Sequence, residues 1–209
     1  MGRRLQSIQG HVGYEYCGPK WLVRLQWKWL YGLIDDVPLE SVSWVSLGAI
    51  EQSEMKAACS LLADVDRPRD VIFETTETTE PMLHLMLESL TKCQPEELSL
   101  SGIFLESDRE EPWSPALLEP LARNPRLRRL KLNSTEIDDA GLAPLLQCSQ
   151  LRWIELCSTA VTAQGVQSLL TLPNLEELVI SEAAMSDELQ RQADKAGVRL
   201  TVPERLPRQ

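Results

Sequence analysis

The sequence predicts an α/β fold in which short strand–helix units stack into a right-handed superhelix, and three observations predict it. Leucine recurs 24 residues apart at Leu127, Leu151 and Leu175. Inside each of these units the apolar residues first alternate, as in a strand, and then fall at helical spacing. A chain of 209 residues with 43% hydrophobic and 25% charged residues carries enough apolar surface for one such array.

The elements follow in chain order. Residues 1–41 are expected to form a capping segment, 42–202 the repeat array and 203–209 a tail. In the cap, Trp21 to Ile34 reads as a helix, with Leu22, Leu25, Trp29 and Leu33 on one face and Arg24 and Lys28 opposite. Val42, Val45, Leu47 and Ile50 read as the first strand, followed by a helix over 51–62. Val71, Phe73 and Thr76 come next, with a helix over 81–90, and then Leu98, Leu100 and Ile103. The acidic stretch Glu106 to Glu111 lengthens that third unit.

From Leu127 the units are regular. Leu127, Leu130, Leu132, Thr135 and Ile137 lead to Gly141, Leu142, Leu145 and Leu146. The set returns as Leu151, Ile154, Leu156, Thr159 and Val161 with Gly165, and again as Leu175, Leu178, Ile180, Ala183 and Met185. Alternating residues point from a strand into the interior, and no unit can cover its own apolar side, so neighbours must stack. Thr135 and Thr159 sit where the chain leaves a strand, placing a hydroxyl on turn backbone. Asp138 or Asp139, and Thr162 one unit later, are expected as helix N-caps. Ser186 to Ala196 reads as a last helix, Gly197 as its C-cap and Val198 to Val202 as a closing strand. About six strand–helix units result, with strands forming a parallel concave sheet and helices the convex layer.

The run from Leu127 to Leu142 resembles the "LxxLxLxxTxITDxGLxxL" unit of bacterial leucine-rich-repeat proteins of the planctomycete type. It is also similar to the cysteine-containing repeats of the ribonuclease-inhibitor-like superfamily, including F-box leucine-rich proteins. Asp138 stands where that pattern has Thr, and the second copy reads Thr162-Ala163-Gln164. The lead-in His11 to Tyr16, then Gly18-Pro-Lys-Trp21-Leu22, looks like the short helix, extended segment and Gly-Pro-x-Trp-Leu helix before the first repeat of those bacterial proteins. The resemblance implies the repeat fold and a binding role.

The charge balance narrows the partners. Lys and Arg total 21 against 31 Asp and Glu, a formal charge of −10, so nucleic acid is not the expected ligand. Five scattered cysteines, Cys17, Cys59, Cys93, Cys148 and Cys157, form no CxxC pair and read as free thiols of a reducing compartment. No apolar h-region follows Met1 and no apolar run is long enough to span a bilayer, so a cytoplasmic monomer is expected. There is no nucleophile elbow, phosphate loop or His-Glu-x-x-His, hence no expected enzyme, cofactor or metal. His84 reads as a structural residue among apolar neighbours, His11 has no base partner, and Cys157 beside Glu155 reads as inert.

Binding is expected on the outward strand positions, with a protein or peptide as the partner. The candidate contacts are Trp153, Arg129, Lys131, Asn133, Glu155, Glu97, Glu177, Ile72 and Trp44. A tryptophan on a rigid sheet is an effective anchor because it buries much area at small entropic cost; Trp44 and Trp153 could equally pack on a cap or a neighbouring rung. Three alternatives remain open at this stage. The chain could be a substrate-recognition adaptor in protein turnover, as in F-box leucine-rich proteins. It could lie on a membrane surface through the Trp21–Ile34 helix. The acidic stretch 106–111 could itself dock a basic partner, although it lacks the spacing of a calcium loop.

Overall fold

The computed structural model describes residues 10–14, 42–47, 52–63, 65, 67–73, 76–105 and 112–203. The cap helix expected over 21–34, Ile50 and the acidic stretch 106–111 lie outside these residues. The described chain is a mixed α/β structure built on an eight-stranded sheet. Its strands are β1 (Gly10–Tyr14), β2 (Val42–Leu47), β3 (Asp70–Phe73), β5 (Glu97–Ser99), β7 (Arg129–Lys131), β8 (Trp153–Leu156), β9 (Glu177–Ile180) and β10 (Arg199–Thr201). β1 runs antiparallel to β2, and every pair from β2 to β10 is parallel.

One register runs through the parallel strands. Val45 pairs with Val71, Val71 with Leu98, Leu98 with Leu130, Leu130 with Ile154 and Ile154 with Leu178. All six are 0% exposed. Burying side chains of this kind stabilises by roughly 1.5–3 kcal/mol each. Leu200, next in the column, is only partly buried because β10 is the sheet's last strand. A second inward column contains Leu47, Phe73, Leu100, Leu132, Leu156 and Ile180. The residues between these columns point to the other face.

Helices cover the inward face. α1 (Gln52–Ala63) packs on α2 (Glu80–Cys93), whose Leu83, Met86, Leu87 and Leu90 are buried at helical spacing. Beyond α2 the layer thins. A 3-10 turn (Pro115–Leu118) leads into the four-residue α3 (Glu119–Ala122), and the next unit has only a 3-10 segment (Ala143–Gln147) where a helix was expected. Leu142, Leu145 and Cys148 are buried at a spacing of three, which is the 3-10 period, whereas Leu146 is exposed. The following units hold α4 (Ala163–Leu169) and α5 (Asp187–Ala196).

Local chemistry sets the boundaries. The Thr135 hydroxyl donates to the Leu132 carbonyl at 2.7 Å, and Thr159 does the same to Leu156 at 3.0 Å. Just before each, Ser134 and Ser158 adopt left-handed φ of 53° and 58°, the turn that Gly102 makes at 74° one unit earlier. Thr162 caps α4 by accepting from Gln164 N, and Ser186 caps α5 by accepting from Leu189 N. Gly197, at φ 73°, ends α5. Asp138 accepts from Gly141 N at 2.9 Å within its own turn. Asp139 instead reaches across to the next unit and accepts from both Thr162 N (2.8 Å) and the Thr162 hydroxyl (2.6 Å).

Two features were not expected. A second, two-stranded parallel ladder joins β4 (Thr76–Thr78) to β6 (Ile103–Leu105), and the Glu136 carboxylate accepts from Leu105 N at 3.2 Å. Trp113 is fully buried in the core, and its indole N–H has no hydrogen-bond partner among the described residues.

Gly165 has no room for a side chain. An added Cβ would collide with the Asp139 carboxylate and stand 3.1 Å from Val161 Cγ1. Gly165→Ala is therefore expected to lower stability by about 1–3 kcal/mol. The adjacent exposed Gln164→Ala should cost under about 0.5 kcal/mol. Urea denaturation reads both, and equally small effects would show that the Asp139 clamp yields freely.

Candidate binding face

The outward residues form two straight rows, because all seven parallel strands share one register. The first row reads Trp44, Asp70, Glu97, Arg129, Trp153, Glu177 and Arg199. The second reads Ser46, Ile72, Ser99, Lys131, Glu155, Val179 and Thr201. Asn133, Cys157 and Ser181 follow at the strand exits. No described helix covers this face.

The centre of the face is an ordered cluster. Glu97, 16% exposed at its side chain, receives Arg129 Nε at 3.0 Å on one carboxylate oxygen and Lys131 Nζ at 2.7 Å on the other. The Arg129 guanidinium also lies 4.6 Å from the centroid of the Trp153 ring, and Lys131 Nζ lies 5.7 Å from it. Trp153 is thus half-buried under two cations rather than freely displayed. Arg129 and Lys131, two of the candidate contacts, are held by their own neighbours. The arrangement removes rotamer freedom from four large side chains before any partner arrives.

Glu177 makes a smaller cluster at the far end. It accepts from the Thr201 hydroxyl at 2.9 Å, and Arg199 lies 3.5 Å away. The Glu155 carboxylate has no hydrogen-bond or ion-pair partner among the described residues. The Asn133 side chain accepts from Cys157 N at 2.8 Å, so it braces the next strand exit and its carbonyl is already engaged. Not every outward position is open: Ser46, Ser99 and Val179 are buried among taller neighbours. Strand alternation told which way these residues point, but their shading depends on side chains brought in from other units.

Trp44 and Ile72, at 38% and 37%, are the large apolar side chains exposed on this face among the described residues. Asp70 lies beside Trp44, and one of its carboxylate oxygens is buried without a hydrogen-bond partner. Arg69 Nε stands 3.8 Å from that oxygen, too far to donate to it. Burial first, then the charge of Glu97, pushes the Asp70 carboxyl above its ordinary range.

His84 requires a correction. The inner side of α2 is taken by Leu83, Met86 and Leu87, so the imidazole is exposed and lies 3.7 Å from Glu88. Among the described residues no three His, Cys, Asp or Glu side chains converge as a metal site, and no helix is long and apolar enough to cross a membrane.

No protein-family model matches the chain, and no curated protein matches it. Among solved structures, the internalin InlF of Listeria monocytogenes is similar over 70% of this chain, at 14% identity and a TM-score of 0.41. This chain covers 49% of that internalin.

The thiols give a direct test of the core. Burial pushes Cys59 up to about 11 and Cys93 and Cys148 up to about 12, from an ordinary value of 9.0. Burial and then Glu155 raise Cys157, which is only half-buried. Alkylation of the folded protein near pH ~8 should therefore modify Cys157 slowly and spare Cys59, Cys93 and Cys148 until denaturant is added. The folded state holds these thiol protons more tightly than the unfolded chain, so stability should fall as pH rises above about 9. Mass spectrometry showing early modification of Cys93 or Cys148 would contradict the described packing.

Proposed function

We propose that the chain is a non-catalytic protein-interaction module: a leucine-rich-repeat solenoid of about six units whose concave strand face grips a protein or peptide. The observation that carries this reading is the Glu97–Arg129–Lys131–Trp153 cluster. Four large side chains from three adjacent strands stand on the helix-free side of the sheet, already ordered by 2.7–3.0 Å ion pairs and ring stacking. Contact residues of this kind, rigid, aromatic and arginine-rich, dominate binding energy at interfaces. The rest of the face supports a polar rim: Glu155 and Glu177 on one side, Asp70 and Trp44 on the other.

Proteins rather than nucleic acids suit this face. Its described charges are four acids, Asp70, Glu97, Glu155 and Glu177, against Arg129, Lys131 and Arg199, and the whole chain carries −10. A phosphate backbone finds no basic stripe there. An enzymatic role finds no support on the face either, since the raised thiol of Cys157 is a poorer nucleophile than a free cysteine. We place the module in the cytoplasm and read it as a monomer, on the free thiols and the acidic surface.

The site assignment is tested by affinity capture from the native cell with wild-type chain and with the Trp153→Ala, Lys131→Ala double variant. Loss of about 2–4 kcal/mol at a hot spot should reduce retention of the wild-type partner at least about thirtyfold. Far-ultraviolet circular dichroism should be unchanged. Undiminished capture by the double variant would remove Trp153 and Lys131 from the contact surface.

A further inference from the structure

We propose that the Trp44–Asp70–Ile72 end of the outward face takes the arginine side chain of an extended protein segment. The proposal rests on the reading of this face as a protein-binding surface and names the chemistry of the partner there.

The chain supplies its own template. In the first outward row, Arg129 bonds Glu97 on the preceding strand at 3.0 Å and stacks 4.6 Å from Trp153 on the following one. A carboxylate and an indole thus share one guanidinium. Trp44 and Asp70 bring the same two groups together in that row, here on adjacent strands in direct register rather than on either side of an arginine-bearing strand. No described cation stands over Trp44, and it is exposed.

Asp70 explains why an arginine fits better than another group. Its Oδ1 is buried and accepts no hydrogen bond, with Arg69 at 3.8 Å. The neighbouring carboxylate, Glu97, is taken up by Arg129 and Lys131 and adds repulsion to Asp70. A purely apolar ligand would bury this carboxylate further without a donor, which is costly. An acidic ligand would be repelled. A guanidinium can donate to the accessible side of this carboxylate while its plane stacks on the indole, whereas an ammonium has no planar face to stack. Ile72, two residues along β3 from Asp70 and 37% exposed, offers apolar surface for the aliphatic stem.

The test uses the full chain with ¹⁵N-labelled tryptophan, the Trp44 indole signal being assigned with Trp44→Phe. The probes are the capped peptide acetyl-Ala-Leu-Arg-Leu-Ala-amide and its citrulline counterpart, which keeps the shape and removes the charge. Expected is a saturable shift of the Trp44 signal with the arginine peptide, about tenfold weaker with citrulline and about tenfold weaker in Asp70→Asn or Asp70→Ser. Circular dichroism verifies that the variants are folded. Equal binding of the two peptides, unchanged binding in both folded Asp70 variants, or a shift confined to Trp153 would overturn the proposal. If the Trp44 signal stays still while a partner is captured through Trp153, this site fails and the protein-binding face stands. If neither responds, both fail.

Discussion

Everything described here depends on a single register shared by seven parallel strands. Val45, Val71, Leu98, Leu130, Ile154 and Leu178 stand in one column, each without solvent contact, and each is covered by the units on either side. A strand of three to six residues has too little surface to bury by itself. Its neighbours supply the remainder, and they do so only in this alignment. A slip of one residue would send the leucines to solvent and Arg129, Lys131 and Trp153 into the core.

The same register builds the outward face. Because alternate residues must point away from the helices, Glu97, Arg129 and Trp153 fall side by side on successive strands, and Lys131 falls within reach of Glu97. Charged and aromatic side chains from parts of the chain tens of residues apart become one ordered surface without any loop to position them. Rigidity below and preorganisation above have one cause. At the other end of the row the chain furnishes an indole and a carboxylate, Trp44 and Asp70, with no described cation stacked on the indole.

Much of this was legible in the sequence, and the limits are instructive. The inward columns were readable because apolar alternation survives in every unit, even where the spacing stretches before Leu127. The threonine turn positions and the Thr162 cap were readable because a hydroxyl at a strand exit or helix start has few other uses. The ladder between β4 and β6 was not, since Thr76 to Thr78 carries no apolar alternation and its pairing comes from a neighbouring unit. The 3-10 segment at 143–147 presents the apolar residues Leu142, Leu145 and Leu146 at the spacing of a short helix, and only the exposure of Leu146 separates the two.

The candidate site divides in the same way. Direction followed from alternation, so all nine candidate residues could be named, and each that lies in a strand sits on its outward side. Who pairs with whom did not follow. Arg129 and Lys131 read as separate contacts; in the structure they pair with Glu97 and cover Trp153. Asn133, another candidate contact, also braces Cys157 N. His84 looked like a core residue and is exposed, because three neighbours compete better for the inner face of α2. Pairing across units is a matter of side-chain reach, which periodicity does not encode.

The most direct measurement is of the register itself, by nuclear Overhauser contacts between backbone protons of neighbouring strands in labelled protein. Expected are contacts that align Leu98 with Leu130, Leu130 with Ile154 and Ile154 with Leu178. Contacts displaced by one residue in any of these pairs would contradict the alignment, and with it the outward placement of Arg129, Lys131 and Trp153.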